Sequence, residues 1–342
     1  MTDQRPILSI CIPTYNRAEV LNETLLSIVN NKSFSEEVEV IISDNASSDD
    51  TAIVCKKYSD KFPNVRYYRN DVNIKDANFL QVLSLATGEY LKLNNDWATL
   101  EEEALQYMLD AIKANIREKI NIYFTDNRLY TSYKKNKGPI ESNDLNDFIS
   151  IVSTFTTAIF IFGIWGDKLN QIKDPLKYSS YLLNQVDWFF QLQKNSKAII
   201  YNKRIYDFNS KMTQEKRSGY NWFQVHVDNY YKIMKPYYEE GFVSKKTLVK
   251  DKKNLLYHFQ AQIAYSIFGK PEKWAFETDN WFTILNNNCK GIPQLWFYII
   301  KSPYNYLKLK MINKTKKRLK QLLLLTNMMP IYHRMKYMYR SK

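Results

Sequence analysis

The chain has 342 residues, 45% of them apolar, and sets 49 Lys and Arg against 35 Asp and Glu for a formal net charge of +14. Such a length and apolar content allow one large folded domain with an appendage and exclude a disordered chain, while 8 glycines beside 26 tyrosines exclude collagen-like and linker classes. From Lys301 to Lys342 there are nine Lys, three Arg and no acid, so the basicity belongs to a tail rather than to a folded nucleic-acid face, and no nucleic-acid partner is expected.

In chain order, ILSICI (residues 7–12) and VEVII (38–42) are short β-branched runs, each ending in a polar cluster, as buried parallel strands do. Between them Val20, Leu21, Leu25 and Ile28 recur at helical spacing, which predicts a β-α-β unit. DDTAIVCKKYSDKF predicts a second helix, VRYYRN a third strand, DANFLQVLSLAT a third helix and EYLKLNND a fourth strand. The alternation predicts an open α/β sheet whose ligand lies beyond the carboxyl ends of its strands. From residue 105 to 215 the pattern loosens. NIYFTDNRLYTSY reads as strands, STFTTAIFIFGIWGDKLNQI as a strand or buried turn and then a helix, and YLLNQVDWFFQLQKN as a helix leading into the strands KAIIYN and RIYDFN. After Lys211 the chain reads as almost wholly helical, with glycine stops.

Three polar clusters, PTYNR, SDNASSDD and NNDW, fall at strand ends, so a parallel sheet places them on one edge. Each alone fits helix capping: Asn16 before the first helix, Ser47 or Ser48 before Asp49 and Asp50, and Thr99 before Glu101 to Glu103. Three together point to a ligand site. The cysteines Cys11, Cys55 and Cys289 are scattered and odd in number, which predicts reduced thiols in a cytoplasm. The start lacks the basic and long apolar regions of a secretory signal, and no run reaches the roughly 18 apolar residues of a spanning helix, so neither export nor a transmembrane segment is expected. Lys92, inside an otherwise apolar strand, has no explanation in the sequence.

LSICIPTYNRAEVLNETLLSI, VEVIISDNASSDDT and NFLQVLSLATGEYLKLNND, in that order and spacing, resemble the nucleotide-binding half of glycosyltransferase family 2, the bacterial polysaccharide enzymes. Weaker likeness runs on through NQVDWFFQLQ to KRSGYNWFQVHVDNY and resembles members that build capsules and O-antigens. The resemblance implies a GT-A, Rossmann-like α/β domain with a mixed sheet, followed by a helical C-terminal region. The expected divisions are 1–215 for the catalytic domain, 216–300 for a helical extension and 301–342 for the tail. It further implies inverting transfer of a sugar from a nucleotide donor, UDP being the expected nucleotide, to a lipid-linked or growing surface glycan at the inner membrane.

By the same resemblance, Pro13, Thr14, Tyr15 and Arg17 border the nucleoside with Asn78, while Asp44 or Asn45 meets the base edge. The family usually has two acids at the latter place, and here the second is Asn45. The run NND stands where the family has an Asp-x-Asp motif: Asp96 takes the place of the ligand to a divalent Mn²⁺ or Mg²⁺, and Asn95 or Asn94 that of the ribose contact. Asp187 stands nearest the family's Glu-Asp acids and is the expected general base, with Val186 in place of the preceding acid. Lys216 and Arg217 sit where family members fold a loop over the donor diphosphate. The histidines His226, His258 and His333 lack metal-ligand spacing.

In the tail, Ser302 and Pro303 suit a helix start, and Tyr304, Leu307, Met311, Leu319, Leu322 and Leu323 fall on one face opposite lysines. Such a basic amphipathic helix predicts peripheral attachment to the anionic cytoplasmic leaflet. Two other readings remain open on sequence: an inactive scaffold of the same fold, suggested by the thinned acids, and a basic module that binds an acidic polymer or RNA through its tail.

Overall fold

The computed structural model describes residues 5–129, 138–208, 219–269 and 276–325, with side chains omitted for 309, 310 and 312–325. In chain order the elements are β1 (Leu8–Thr14), α1 (Ala18–Val29), β2 (Val38–Asp44), α2 (Thr51–Ser59), β3 (Val65–Arg69), α3 (Ala77–Ser84), β4 (Tyr90–Leu93), β5 (Ala98–Leu100), α4 (Ala104–Asn115), β6 (Asn121–Phe124), β7 (Ile140–Ser142), α5 (Leu145–Val152), β8 (Gly163–Trp165), α6 (Asn184–Gln193), β9 (Ala198–Tyr201) and β10 (Tyr206–Phe208). A π-helical turn at Gln224–Asn229 then leads into α7 (Tyr230–Glu239), α8 (Lys245–His258), α9 (Gln260–Phe268), α10 (Trp281–Cys289) and α11 (Pro293–Leu325).

The main sheet has the order β3-β2-β1-β4-β8, parallel except for the antiparallel edge β8. All seven residues of β1 and of β2 are buried, which is why both read as continuous apolar runs rather than as alternating ones. Thr14 pairs with Asp44 at the carboxyl end of the β1–β2 ladder, and Cys11 pairs with Leu93 at the end of β4. The polar clusters therefore leave the sheet from one edge. Smaller sheets, β10-β5 and β6-β9-β7, extend the layer beyond β8.

Between Val152 and Ile172 the expected helix is instead a chain of 3₁₀ turns interrupted by β8. β8 presses close enough to β4 that a Cβ at Gly163 would lie 2.1 Å from the Tyr90 hydroxyl oxygen, so only glycine fits there. One buried cluster runs from Leu8 to Leu295, so the later helices share the core of the sheet. The tail helix starts at Pro293, ten residues before Pro303, which lies inside it. Ser302 is consequently buried and donates its hydroxyl to the Ile299 carbonyl (2.6 Å) instead of capping a helix start. The tail's expected face is described as far as Met311, and Leu319, Leu322 and Leu323 lie outside the described side chains.

Candidate active site

The loops after β1, β2 and β4 are tied to one another before any ligand is considered. Asn16 does not cap α1. It takes a left-handed φ of 52°, its N–H donates to the Ser47 hydroxyl (2.8 Å), and its side-chain oxygen accepts from the Ser48 N–H (2.7 Å). The α1 terminus is served across the loops instead, with Ala18 N–H donating to Asp49 (3.2 Å) and Arg17 N–H to the Thr51 hydroxyl (3.0 Å). Thr99 is also no cap; it lies in β5 and its hydroxyl donates to the Asp207 carbonyl.

Thr14 and Asp96, 82 residues apart, meet directly: the Thr14 hydroxyl donates to Asp96 Oδ2 at 2.9 Å. Arg17 Nε lies 3.9 Å from the same oxygen. Burial raises the Asp96 carboxyl to about pH 6 against the counter-pull of Arg17 and Thr14, and burial lowers Arg17. Beside Asp96, Asn95 Oδ1 is a buried acceptor without a hydrogen-bond partner. These residues floor a cleft of about 740 Å³ that also exposes Pro13, Tyr15, Asn45 and Asn78.

Asn94 is buried beneath that floor, where its amide donates to the Asn95 carbonyl (2.9 Å), and it does not line the cleft. Asp44 is buried too. It accepts from Tyr67 (2.9 Å), Arg69 (3.0 Å) and the Ser47 N–H (2.9 Å), so it braces the cleft from behind while Asn45 faces it. Asn45 accepts from Ile74 N–H (2.8 Å) and donates to Asn73 (2.8 Å), and Asn78 bridges to Ser43 at both ends of its amide, which fixes the rim.

A sheet edge of this order with a polar cleft at its carboxyl ends has known counterparts. The model of the family described as Glycosyl transferase family 2 matches residues 9–166. Residues 9–166 belong to glycosyltransferase family 2. Abequosyltransferase RfbV of Salmonella typhimurium is 38% identical over 126 residues, 36% of this chain and 36% of its own length. GalNAc(5)-diNAcBac-PP-undecaprenol beta-1,3-glucosyltransferase of Campylobacter jejuni is 34% identical over 113 residues, 32% of this chain and 35% of its own. The chain thus spans about a third of the length of these curated relatives. A solved structure of S. aureus TarS 1-349 in complex with UDP superposes with a TM-score of 0.52 at 18% identity, covering 91% of this chain and 92% of that one. The fold is GT-A, with a helical C-terminal region.

Opposite the strand-end floor, the cleft is walled by residues that no sequence pattern joins. Thr157 to Phe160 come from the 3₁₀ turns, Leu183 and Gln185 from the start of α6, and Tyr220, Trp222, His226 and Phe276 from the helical region. His226 sits on the π-helical turn with its ring 4.1 Å from that of Trp222, and burial lowers its imidazole to about pH 4, so it is neutral. Lys92, unexplained before, donates its buried ammonium to the Phe160 carbonyl and so pins this wall to β4. Burial lowers that lysine to about pH 7.

Asp187, the expected base, is set back from the cleft. It does not line the cleft; its carboxylate accepts from the Tyr237 hydroxyl (2.6 Å) and from Gln191 (2.7 Å), because the first turn of α6 presents Gln185 to the cleft and sets Asp187 against α7. Gln185 was passed over in the sequence. Its amide nitrogen donates to the Thr157 carbonyl (3.0 Å), and its buried Oε1 has no partner. Lys216 and Arg217 lie outside the described residues. Among the described residues no three His, Cys, Asp or Glu side chains gather as a metal cluster.

Proposed function

We propose that the chain is an inverting glycosyltransferase, moving a sugar from a nucleotide donor, UDP-linked, to a lipid-linked or growing bacterial surface glycan. The observation that carries this reading is the Thr14–Asp96 junction at the mouth of three parallel strands, beside the unpartnered Asn95 carbonyl. Tyr15, about half exposed, borders the nucleoside; Asn45 and Asn78 face the base edge, with Asp44 fixing Arg69 and Tyr67 behind them. The name of the Campylobacter relative, a glucosyltransferase acting on an undecaprenol-linked glycan, supports the acceptor class.

Asp96 and Asn95 offer one carboxylate and one amide oxygen, a hard-oxygen pair that fits Mg²⁺ or Mn²⁺ completed by phosphate oxygens and water. A divalent cation there supplies neutralisation of the diphosphate as the glycosidic bond breaks. Thr14 and Arg17 hold the Asp96 carboxylate in place, and Arg17 stabilises its charged form. An acceptor entering against the Trp222 and Gln185 wall attacks from the side opposite the departing diphosphate, which inverts the anomeric centre. Its hydroxyl must lose a proton; with Asp96 given to the cation, Asp76 and His226 are the described cleft residues able to take it, and Asp187 acts as a brace.

We also place the chain at an anionic membrane surface, on the cytoplasmic face. Trp296, Ile300, Tyr304, Leu307 and Met311 recur every three or four residues along α11 and are 55 to 77% exposed, an apolar stripe that runs beside Lys301 and Lys308. No described helix is long and apolar enough to cross a membrane. Flotation with phosphatidylglycerol vesicles tests the placement: Trp296→Ser with Ile300→Ser, both on the exposed face, is expected to leave the fold intact and abolish flotation, and undiminished flotation removes the proposal.

A screen of sugar nucleotides by thermal shift, with and without Mn²⁺, followed by donor-dependent nucleotide diphosphate release, tests the transferase reading. A UDP-sugar is expected to raise the melting temperature and to be turned over. Binding without turnover in the presence of any glycan acceptor would favour a scaffold.

A further inference from the structure

The richest unassigned construction in the cleft surrounds Arg128. After β6 the chain turns through Asp126 and Asn127, both non-glycine residues in the left-handed region (φ 53° and 52°), and closes with the Arg128 N–H donating to the Thr125 carbonyl at 3.0 Å. Two consecutive left-handed residues are unfavourable for L side chains and persist only where their surroundings hold them. Here Asp126 does so: one carboxylate oxygen accepts the backbone N–H groups of Ile205 (2.8 Å) and Tyr206 (2.9 Å), and the other accepts Arg128 Nε at 3.1 Å. The guanidinium carbon lies 4.1 Å from the centroid of the Phe208 ring and 5.1 Å from that of Phe160, whose carbonyl Lys92 holds.

Clamped by two rings and by Asp126 on its Nε edge, the guanidinium is left 39% exposed at the cleft, and Nη1 and Nη2 make no hydrogen bond or ion pair with any described residue. The free edge of a fixed guanidinium matches two oxygens of a phosphate in a way a lysine does not. We propose that Arg128 is a phosphate clamp of the cleft. This rests on the transferase reading for the identity of the phosphate, which is either the donor diphosphate or a diphosphate carried by the acceptor lipid.

Calorimetric titration of the full chain with UDP, uridine, farnesyl diphosphate and farnesol separates these sources, using Arg128→Lys, which keeps the charge but loses the fork. A loss of about tenfold or more for UDP with uridine within about twofold assigns the donor; the same loss for farnesyl diphosphate with farnesol unchanged assigns the acceptor. A positioning variant, Phe208→Leu, is expected to give a smaller loss for the same ligand. Wild-type affinity for all four in Arg128→Lys overturns the clamp, as does a wild type that binds neither diphosphate. A wild type that ignores UDP and uridine yet holds farnesyl diphosphate through Arg128 overturns the nucleotide reading and keeps the clamp.

Discussion

The two walls of the cleft are built by different means. The strand-end floor consists of short loops whose polar side chains bond one another across the β1, β2 and β4 termini, as Asn16 with Ser48 and Thr14 with Asp96 do. The opposite wall is made of aromatic rings and 3₁₀ turns brought from residues 157 to 276, and each wall holds one buried amide oxygen without a partner, of Asn95 in the floor and of Gln185 opposite. A wall fixed by its own hydrogen bonds suits a ligand part with fixed charge geometry, and an aromatic wall suits sugar faces, which need area more than register.

The sharpest way to break this division is at its charged centre. Asp96→Ala is expected to lower nucleotide diphosphate release by about 10² to 10³-fold, the cost of removing one positioned electrostatic group, with far-ultraviolet circular dichroism unchanged. Activity within twofold of wild type would show that the strand-end floor is not where the donor reacts. Next in size, Trp222→Ala on the other wall is expected to raise the acceptor KM by up to about tenfold while donor affinity holds, because stacking of this kind contributes about 0.5 to 1.5 kcal/mol. Equal losses for donor and acceptor would merge the two walls into one site.

Asp187→Asn sharpens the comparison differently, because α6 contributes to the cleft through Gln185 and to the core through Asp187. Losing the charge from the Tyr237 and Gln191 bonds is expected to cost about 1 to 3 kcal/mol of stability, read as a lower denaturant midpoint, with kcat within about threefold. The reverse pattern, an unchanged midpoint with kcat down a hundredfold, would make Asp187 the base.

How much was legible follows the same line. The first hundred residues announce themselves because a buried parallel strand needs a continuous apolar run and its end needs a polar stop, so ILSICI before PTYNR and VEVII before SDN place the floor correctly. The capping roles assigned there failed because Asn16 and Thr99 found partners in other loops, which single-segment reasoning does not see. Whether Asp187 or Gln185 meets the cleft is not legible, because α6 is buried on nearly every side and no polar face marks the choice. Arg128 and His226 carried signals too weak to use, an Asp-Asn before an arginine and a lone histidine; only the left-handed turn and the π-helical turn, both tertiary facts, single them out. Lys92 shows the converse, a sequence anomaly whose reason is a carbonyl 68 residues away.

The pH dependence of stability tests both regions with one variable. Asp96 in the floor and Asp251 among the later helices are each raised by burial to about pH 6 from an ordinary 3.8, Asp251 despite accepting from Ser153, Tyr231 (2.9 Å) and Tyr230 (3.3 Å). A carboxyl raised on folding binds its proton more tightly in the native state. Its contribution to stability is therefore complete below about pH 4 and is lost as pH rises through about 6. With roughly 1.4 kcal/mol per pH unit, each accounts for about 3 kcal/mol at most across that window. Asp251→Asn is expected to flatten the fall in stability between pH 4 and 6 and to leave transfer intact, whereas Asp96→Asn flattens it by a similar amount and removes transfer. An unchanged slope in Asp251→Asn would mean that its three hydroxyl donors hold the charge as well as water does, and that burial alone does not set the titration of the helical region.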